Sequence, residues 1–65
     1  MKIVEVVNKY NEKSWLCVVY ADTKAAATGD IEGLAEGITL ASGSMIYTAD
    51  GNLGVYNSSS EWEWK

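Results

Sequence analysis

SMIYTADGNLGVYN, residues 44–57, reads as a β-hairpin. Two short runs rich in β-branched and aromatic residues, Ser44 to Ala49 and Leu53 to Asn57, flank Asp50-Gly51, a dipeptide that tolerates the positive φ angles of a type I′ turn. A two-residue turn there pairs Ala49 with Asn52, Tyr47 with Gly54 and Ile46 with Val55. Side chains alternate along a strand. One face therefore carries Ile46, Thr48, Leu53 and Val55, and the other Met45, Tyr47 and Tyr56, with Tyr47 covering the bare backbone of Gly54.

Downstream, Ser58-Ser59-Ser60 turns the chain into Glu61 to Lys65, EWEWK. The strict alternation puts Trp62 and Trp64 on one face and Glu61 and Glu63 on the other. Loop parity sets which side the tryptophans join. An even loop sends them to the Leu53 and Val55 side and an odd one to the tyrosine side. The even loop is preferred, because it leaves the acids beside the tyrosines in solvent.

Upstream, Lys2 to Lys9 (KIVEVVNK) and Trp15 to Ala21 (WLCVVYA) make a second hairpin pattern around the polar Tyr10 to Ser14. The later strand is apolar on both alternating faces, with Trp15, Cys17 and Val19 on one and Leu16, Val18 and Tyr20 on the other. That pattern is expected of a central strand buried on both sides. From Asp22 to Ser42 small residues dominate, and a loop is expected. Asp30 to Glu36 (DIEGLAE) has the makings of a short helix with Asp30 as N-cap, against which internal Gly33 counts about 1 kcal/mol. A brief strand is expected at Ile38 to Leu40. The sum is one mainly β domain over residues 1–65: a small antiparallel sheet or partly open barrel of about five strands, with an irregular or short-helix segment in the middle.

A chain of 65 residues buries only about 60% of the surface its unfolded form exposes, so its core is marginal. Cys17 is the single cysteine and there is no histidine, which leaves no intrachain disulfide and no soft-ligand zinc set. A partner subunit is the remaining means of adding buried surface. The net charge is −4, and all five basic residues are lysines spread along the chain. Nucleic acid favours a basic patch with arginine forks, and an anionic membrane also favours basic charge, so neither partner is expected. No apolar run approaches the roughly 20 residues of a membrane span, and MKIVEVVNKY lacks the apolar stretch of a signal peptide. The expected location is a cytoplasm, or a virion assembled there.

General acid–base chemistry most often uses histidine, which is absent. Glu61 and Glu63 have the spacing of neighbours on a solvated strand face rather than of a catalytic dyad. Cys17 lies between Leu16 and Val18 in the most apolar stretch, where a thiolate is disfavoured and a buried, inert cysteine is expected. Ser58 to Ser60 have no base to activate them. Gly29-Asp-Ile-Glu-Gly33 matches no phosphate loop, and its acids would repel a phosphate. Asp22, Asp30 and Asp50 stand too far apart for a calcium loop. No catalytic residue, metal or cofactor is assigned, and an enzyme is not expected.

The aromatic set remains: Trp15, Tyr20, Tyr47, Tyr56, Trp62 and Trp64. Tryptophan and tyrosine anchor interfaces and also stack on sugars or bases, but a chain without phenylalanine must also build its core from them. Trp15 is assigned to the core. Tyr47, Tyr56, Trp62 and Trp64 are the candidate interface residues, the two tryptophans suiting core and interface equally.

Gly43-Ser44 followed by a strand, then Asp50-Gly51-Asn52-Leu53-Gly54-Val55-Tyr56, then Trp62 after a polar loop, resembles short proteins encoded in the structural-gene regions of tailed phages of Gram-positive and gut bacteria. The match runs from Gly43 to Trp64, about a third of the chain; Asp22 to Ser42 is longer and richer in alanine and glycine than that pattern. The resemblance implies a small virion component, either capsid decoration or fibre attachment, acting as a repeated subunit.

The expected function is therefore a non-enzymatic structural or binding protein, a phage virion accessory subunit that forms homo-oligomers and contacts a capsid or fibre through sheet edges and aromatic faces. One alternative is a small acidic inhibitor of a host defence or nucleic-acid enzyme, its carboxylates imitating phosphates. Another is a ligand-binding module with a tryptophan platform, although a small-molecule ligand ranks below a protein partner.

Overall fold

Six strands form in the computed structural model, which describes residues 1–65: β1 (Lys2–Lys9), β2 (Ser14–Ala21), β3 (Thr39–Leu40), β4 (Met45–Thr48), β5 (Leu53–Tyr56) and β6 (Trp62–Trp64). The chain is mainly β, as its valine- and aromatic-rich runs require, and the strands lie close to where the sequence pattern puts them. They build one open sheet in the order β1-β2-β4-β5-β6, with β3 also paired to β2. The sheet is mixed rather than antiparallel. β1–β2, β4–β5 and β5–β6 are antiparallel, whereas β3 and β4 both run parallel to β2, at Ser14–Trp15 and Val18–Ala21 respectively.

Parallel neighbours need a long crossover, and residues 22–38 supply it. The crossover contains no helix, in contrast to the short helix that Asp30 to Glu36 suggested. Gly29, Gly33 and Gly37 all hold positive φ, and Gly33, at +94°, sits in the middle of the expected helix. A backbone in that region cannot carry the i→i−4 ladder. Instead Glu32 bridges to the start of β1, accepting the Ile3 N–H at 2.9 Å and donating its own N–H to Met1 at 3.0 Å.

The crossover covers one face of the sheet. Ala27 joins Cys17, Val19, Ala21, Leu40 and Ile46 in a single buried cluster, with Ile3, Ile31, Trp15, Tyr56, Trp62 and Trp64 packed around it. Only ten residues of the chain are buried, so the core is as small as the length implies. β2 is central in the hydrogen-bond order but not buried on both sides: Cys17, Val19 and Ala21 are buried, while Leu16, Val18 and Tyr20 on the opposite face are half-buried. A single crossover has covered one face only.

β3 and β4 are two pieces of one line beside β2, interrupted by a tight turn in which the Ser44 N–H bonds to the Ala41 carbonyl. The Ser44 side chain, fully buried, fills the resulting gap in the ladder. Its hydroxyl accepts the Cys17 N–H at 3.1 Å and donates to the Trp15 carbonyl at 3.4 Å.

The two C-terminal turns correct the expected register. Asp50-Gly51 does not form a two-residue turn; Tyr47 pairs with Leu53, Ile46 with Gly54 and Met45 with Val55. The loop is Ala49-Asp50-Gly51, closed by Thr48 N–H to Asn52 O and Gly51 N–H to Thr48 O, with Gly51 at φ +91°. This is the three-residue hairpin whose last loop residue takes the left-handed conformation. β5–β6 repeats it: Asn57 N–H bonds to Glu61 O, Ser60 N–H to Asn57 O, and Ser60 takes φ +61°. The loop between Tyr56 and Trp62 thus has odd parity, not even.

A one-residue slip reverses every side chain of a strand, so the first correction turns β5 over relative to β4, and the second turns β6 back, leaving the tryptophans on the expected Ile46 side. Ile46, Thr48, Gly54, Tyr56, Trp62 and Trp64 share the inner face, and Met45, Tyr47, Leu53, Val55 and Glu63 the outer. Gly54 lies under Trp64 and Ile46, not Tyr47: a Cβ at that position would stand 3.0 Å from a carbon of each.

Candidate functional site

The outer face of the sheet is laid out in cross-strand rows. The first runs Lys2–Tyr20–Tyr47–Leu53, with Lys65 beyond it, bonded through its N–H to the Leu53 carbonyl at 2.8 Å. The second runs Glu5–Val18–Met45–Val55–Glu63. Both have an apolar or aromatic centre and charged ends, lysine in the first and glutamate in the second. β1 slips in register between Ile3 and Glu5 and again between Val6 and Asn8, which leaves Val4 and Val7 without a partner on β2.

No segment of the chain covers this face. Leu53 is 57% exposed, Met45 51% and Tyr47 38%. Tyr20 and Tyr47 pack edge to face at 5.2 Å between centroids, and the Tyr20 hydroxyl donates to Asp22 at 3.2 Å. Partial burial, then the bond to Asp22, push the Tyr20 phenol upward, so it stays protonated and neutral.

The inner face holds a second feature. Tyr56 and Trp62 pack edge to face at 4.8 Å, and with Trp64, Lys24, Thr28 and Ser60 they line a cleft of about 430 Å³ between the crossover and β5–β6. The Lys24 amine stands 5.5 Å from the Trp64 ring centroid. The four candidate interface residues therefore divide: Tyr56, Trp62 and Trp64 gather at the cleft, half-buried, and Tyr47 stands on the opposite face. The sequence reading already sets Trp62 and Trp64 opposite Tyr47; the one-residue error in register at Asp50-Gly51 puts Tyr56 on the wrong side. Leu53 and Val55 were missed as surface residues for the same reason.

The remaining reactive groups are held in structural roles. Cys17 is a free, buried thiol whose pKa burial raises. Asp50 is held below the usual carboxylate range, first by the hydrogen bond from the Thr48 hydroxyl and then by that from Asn52 Nδ2 at 2.9 Å. Both partners belong to the β4–β5 turn, so this carboxylate caps a loop. No three carboxylate or thiol side chains gather where a cation would bind, and no helix is long and apolar enough to cross a membrane. No family model matches the chain, and no curated protein or solved structure matches it.

Proposed function

We propose that this chain is a non-enzymatic assembly subunit, of the accessory kind that decorates a phage capsid or attaches a fibre, and that it assembles through the outer face of its sheet. One observation carries the reading: Leu16, Val18, Tyr20, Met45, Tyr47, Leu53 and Val55 lie side by side on a face that nothing in the chain covers. Contiguous exposed apolar surface of this kind marks an interaction site. A small core without a disulfide gains most from burying it.

Edge pairing, the other route considered from sequence, has less support. β1 is kinked by two register slips and β6 is three residues long, the devices that keep sheet edges from pairing with other chains. The virion setting rests on the resemblance of Gly43 to Trp64, a stretch that folds as the β4–β5–β6 meander. The test is molar mass by light scattering after size exclusion, over about a tenfold concentration range, for the wild type and for Met45→Lys/Leu53→Lys. The reading requires wild-type association that the double variant loses while keeping its circular dichroism. A wild type that stays monomeric throughout overturns it.

The aromatic cleft favours a second reading, a module that stacks a sugar or a nucleobase on Trp62 or Trp64. Tryptophan fluorescence that responds to a member of a glycan and nucleotide panel, and loses that response in Trp64→Leu, supports it; an unchanged spectrum across the panel removes it.

A further inference from the structure

The structure assigns a specific partner to the outer face: a second copy of this chain, packed face to face about a two-fold axis that lies in the interface and runs across the strands, between the two charged rows. The inference rests on the assembly reading above and adds its geometry.

An axis in that position places the first row of each copy over the second row of the other and leaves β1 above β1, with strands antiparallel. Lys2 then faces Glu5 of the second copy, and Lys65 faces Glu63. In the centre Tyr20, Tyr47 and Leu53 lie over Val18, Met45 and Val55 of the second copy. Each of the four charges that end the two rows meets its opposite, and every apolar residue between them meets another. A two-fold axis running along the strands instead sets Glu5 over Glu63 and Lys2 over Lys65, which repel. The charge pattern thus selects one of the two face-to-face arrangements, as isologous contacts require self-complementary surfaces.

Exposure supports the same partner: Met45 and Leu53, in the middle of the two rows, are 51% and 57% exposed, and face-to-face packing sets both against apolar residues of the second copy. Two sheets stacked roughly 10 Å apart and within about 30° of alignment make a β-sandwich. Such a sandwich gives Val18 and Tyr20 of β2 the cover that the crossover gives only to Cys17, Val19 and Ala21. The half-buried second face of the central strand becomes a true core face.

Charge swaps test the pairing, with dissociation constants read by sedimentation equilibrium. The wild type is expected to be a dimer and nothing larger. Lys2→Glu/Lys65→Glu sets acid over acid at four symmetry-related contacts and weakens it by about tenfold or more. Adding Glu5→Lys/Glu63→Lys restores the wild-type net charge with the pairs reversed, and returns the constant to within about threefold. Lys9→Glu/Lys13→Glu, with the same charge change outside the two rows, leaves it within about threefold. An oligomer of another order, or a dimer that the quadruple exchange fails to restore, overturns this pairing and leaves assembly through the face standing. A wild type that is monomeric overturns both.

Discussion

The Ser44 hydroxyl stands in for a missing strand residue, accepting the backbone N–H of Cys17 at 3.1 Å where β3 and β4 part. Without it that buried N–H has no partner, and an unsatisfied buried donor costs about 1–3 kcal/mol. Ser44→Ala is expected to lose that much stability in urea unfolding, while Ser42→Ala, at an exposed position in the same turn, loses less than about 0.5 kcal/mol. Equal effects at the two positions would show that the hydroxyl is not bridging the ladder.

Gly54 is the inner-face position with no room for a side chain. Its missing Cβ would sit 3.0 Å from both Ile46 Cγ2 and Trp64 Cε3, and 3.3 Å from the Glu63 carbonyl oxygen. Gly54→Ala is expected to lower stability by about 1–3 kcal/mol through overpacking, with a shift in tryptophan emission as Trp64 is pushed outward. A neutral substitution would place Trp64 on the other side of the sheet.

The two hairpin loops share one backbone path, but only the first has glycine at its left-handed position. Ser60 holds φ +61°, a conformation that disfavours any residue with a Cβ by about 1–2 kcal/mol. Ser60→Gly should therefore raise the urea midpoint and Gly51→Ala should lower it, each by an amount on the order of 1 kcal/mol. Both effects having the same sign would contradict the shared loop geometry.

Asp50 has a depressed folded-state pKa. Such a group contributes stability that is fully present above its unfolded pKa, about 3.9, and is lost as pH falls through the lower folded value. The stability difference between wild type and Asp50→Asn should hold steady above about pH 5 and shrink toward pH 2. A difference that does not change with pH would mean that the carboxylate is not charged in its bonds to Thr48 and Asn52.

Cys17 is buried, and its thiol pKa is raised by that burial. Labelling by a thiol reagent at pH 8 is expected to require opening of the β2 region and to run at least about a hundredfold slower than in denaturant. Labelling at equal rates would put the thiol at the surface.

Strand positions were legible in the sequence because they depend on short-range composition. Lys2–Lys9 was read residue for residue, and the second strand differs by one residue, starting at Ser14 instead of Trp15. The burial of Cys17 followed from its apolar neighbours. Register was not legible, and the reason lies in Asp50-Gly51. The dipeptide fits the centre of a two-residue turn, and it equally fits the last two positions of a three-residue one, since both place Gly51 at positive φ. What separates them is the bond from Thr48 N–H to Asn52 O, and the hint in the sequence is Thr48 itself, whose hydroxyl accepts the Asn52 N–H at 2.9 Å. Asn57 does the same work in the next loop, accepting the Ser59 and Glu61 N–H groups. The two loops could have been recognised as a pair.

By itself the sequence determined that the chain is mainly β, where the strands and turns fall, and that its single thiol is interior, since all of these follow from local alternation and backbone preference. Tertiary structure alone decided the parallel pairing of β2 with β4, the side on which the crossover packs, and the turn of β5 that sends Tyr56 inward and leaves Leu53 and Val55 beside Met45 and Tyr47 on an uncovered face. Those outcomes depend on a single residue of loop length and on contacts between segments far apart in the chain. Local propensity is blind to both, because a strand with apolar residues on either side is equally stable facing either way until something covers it.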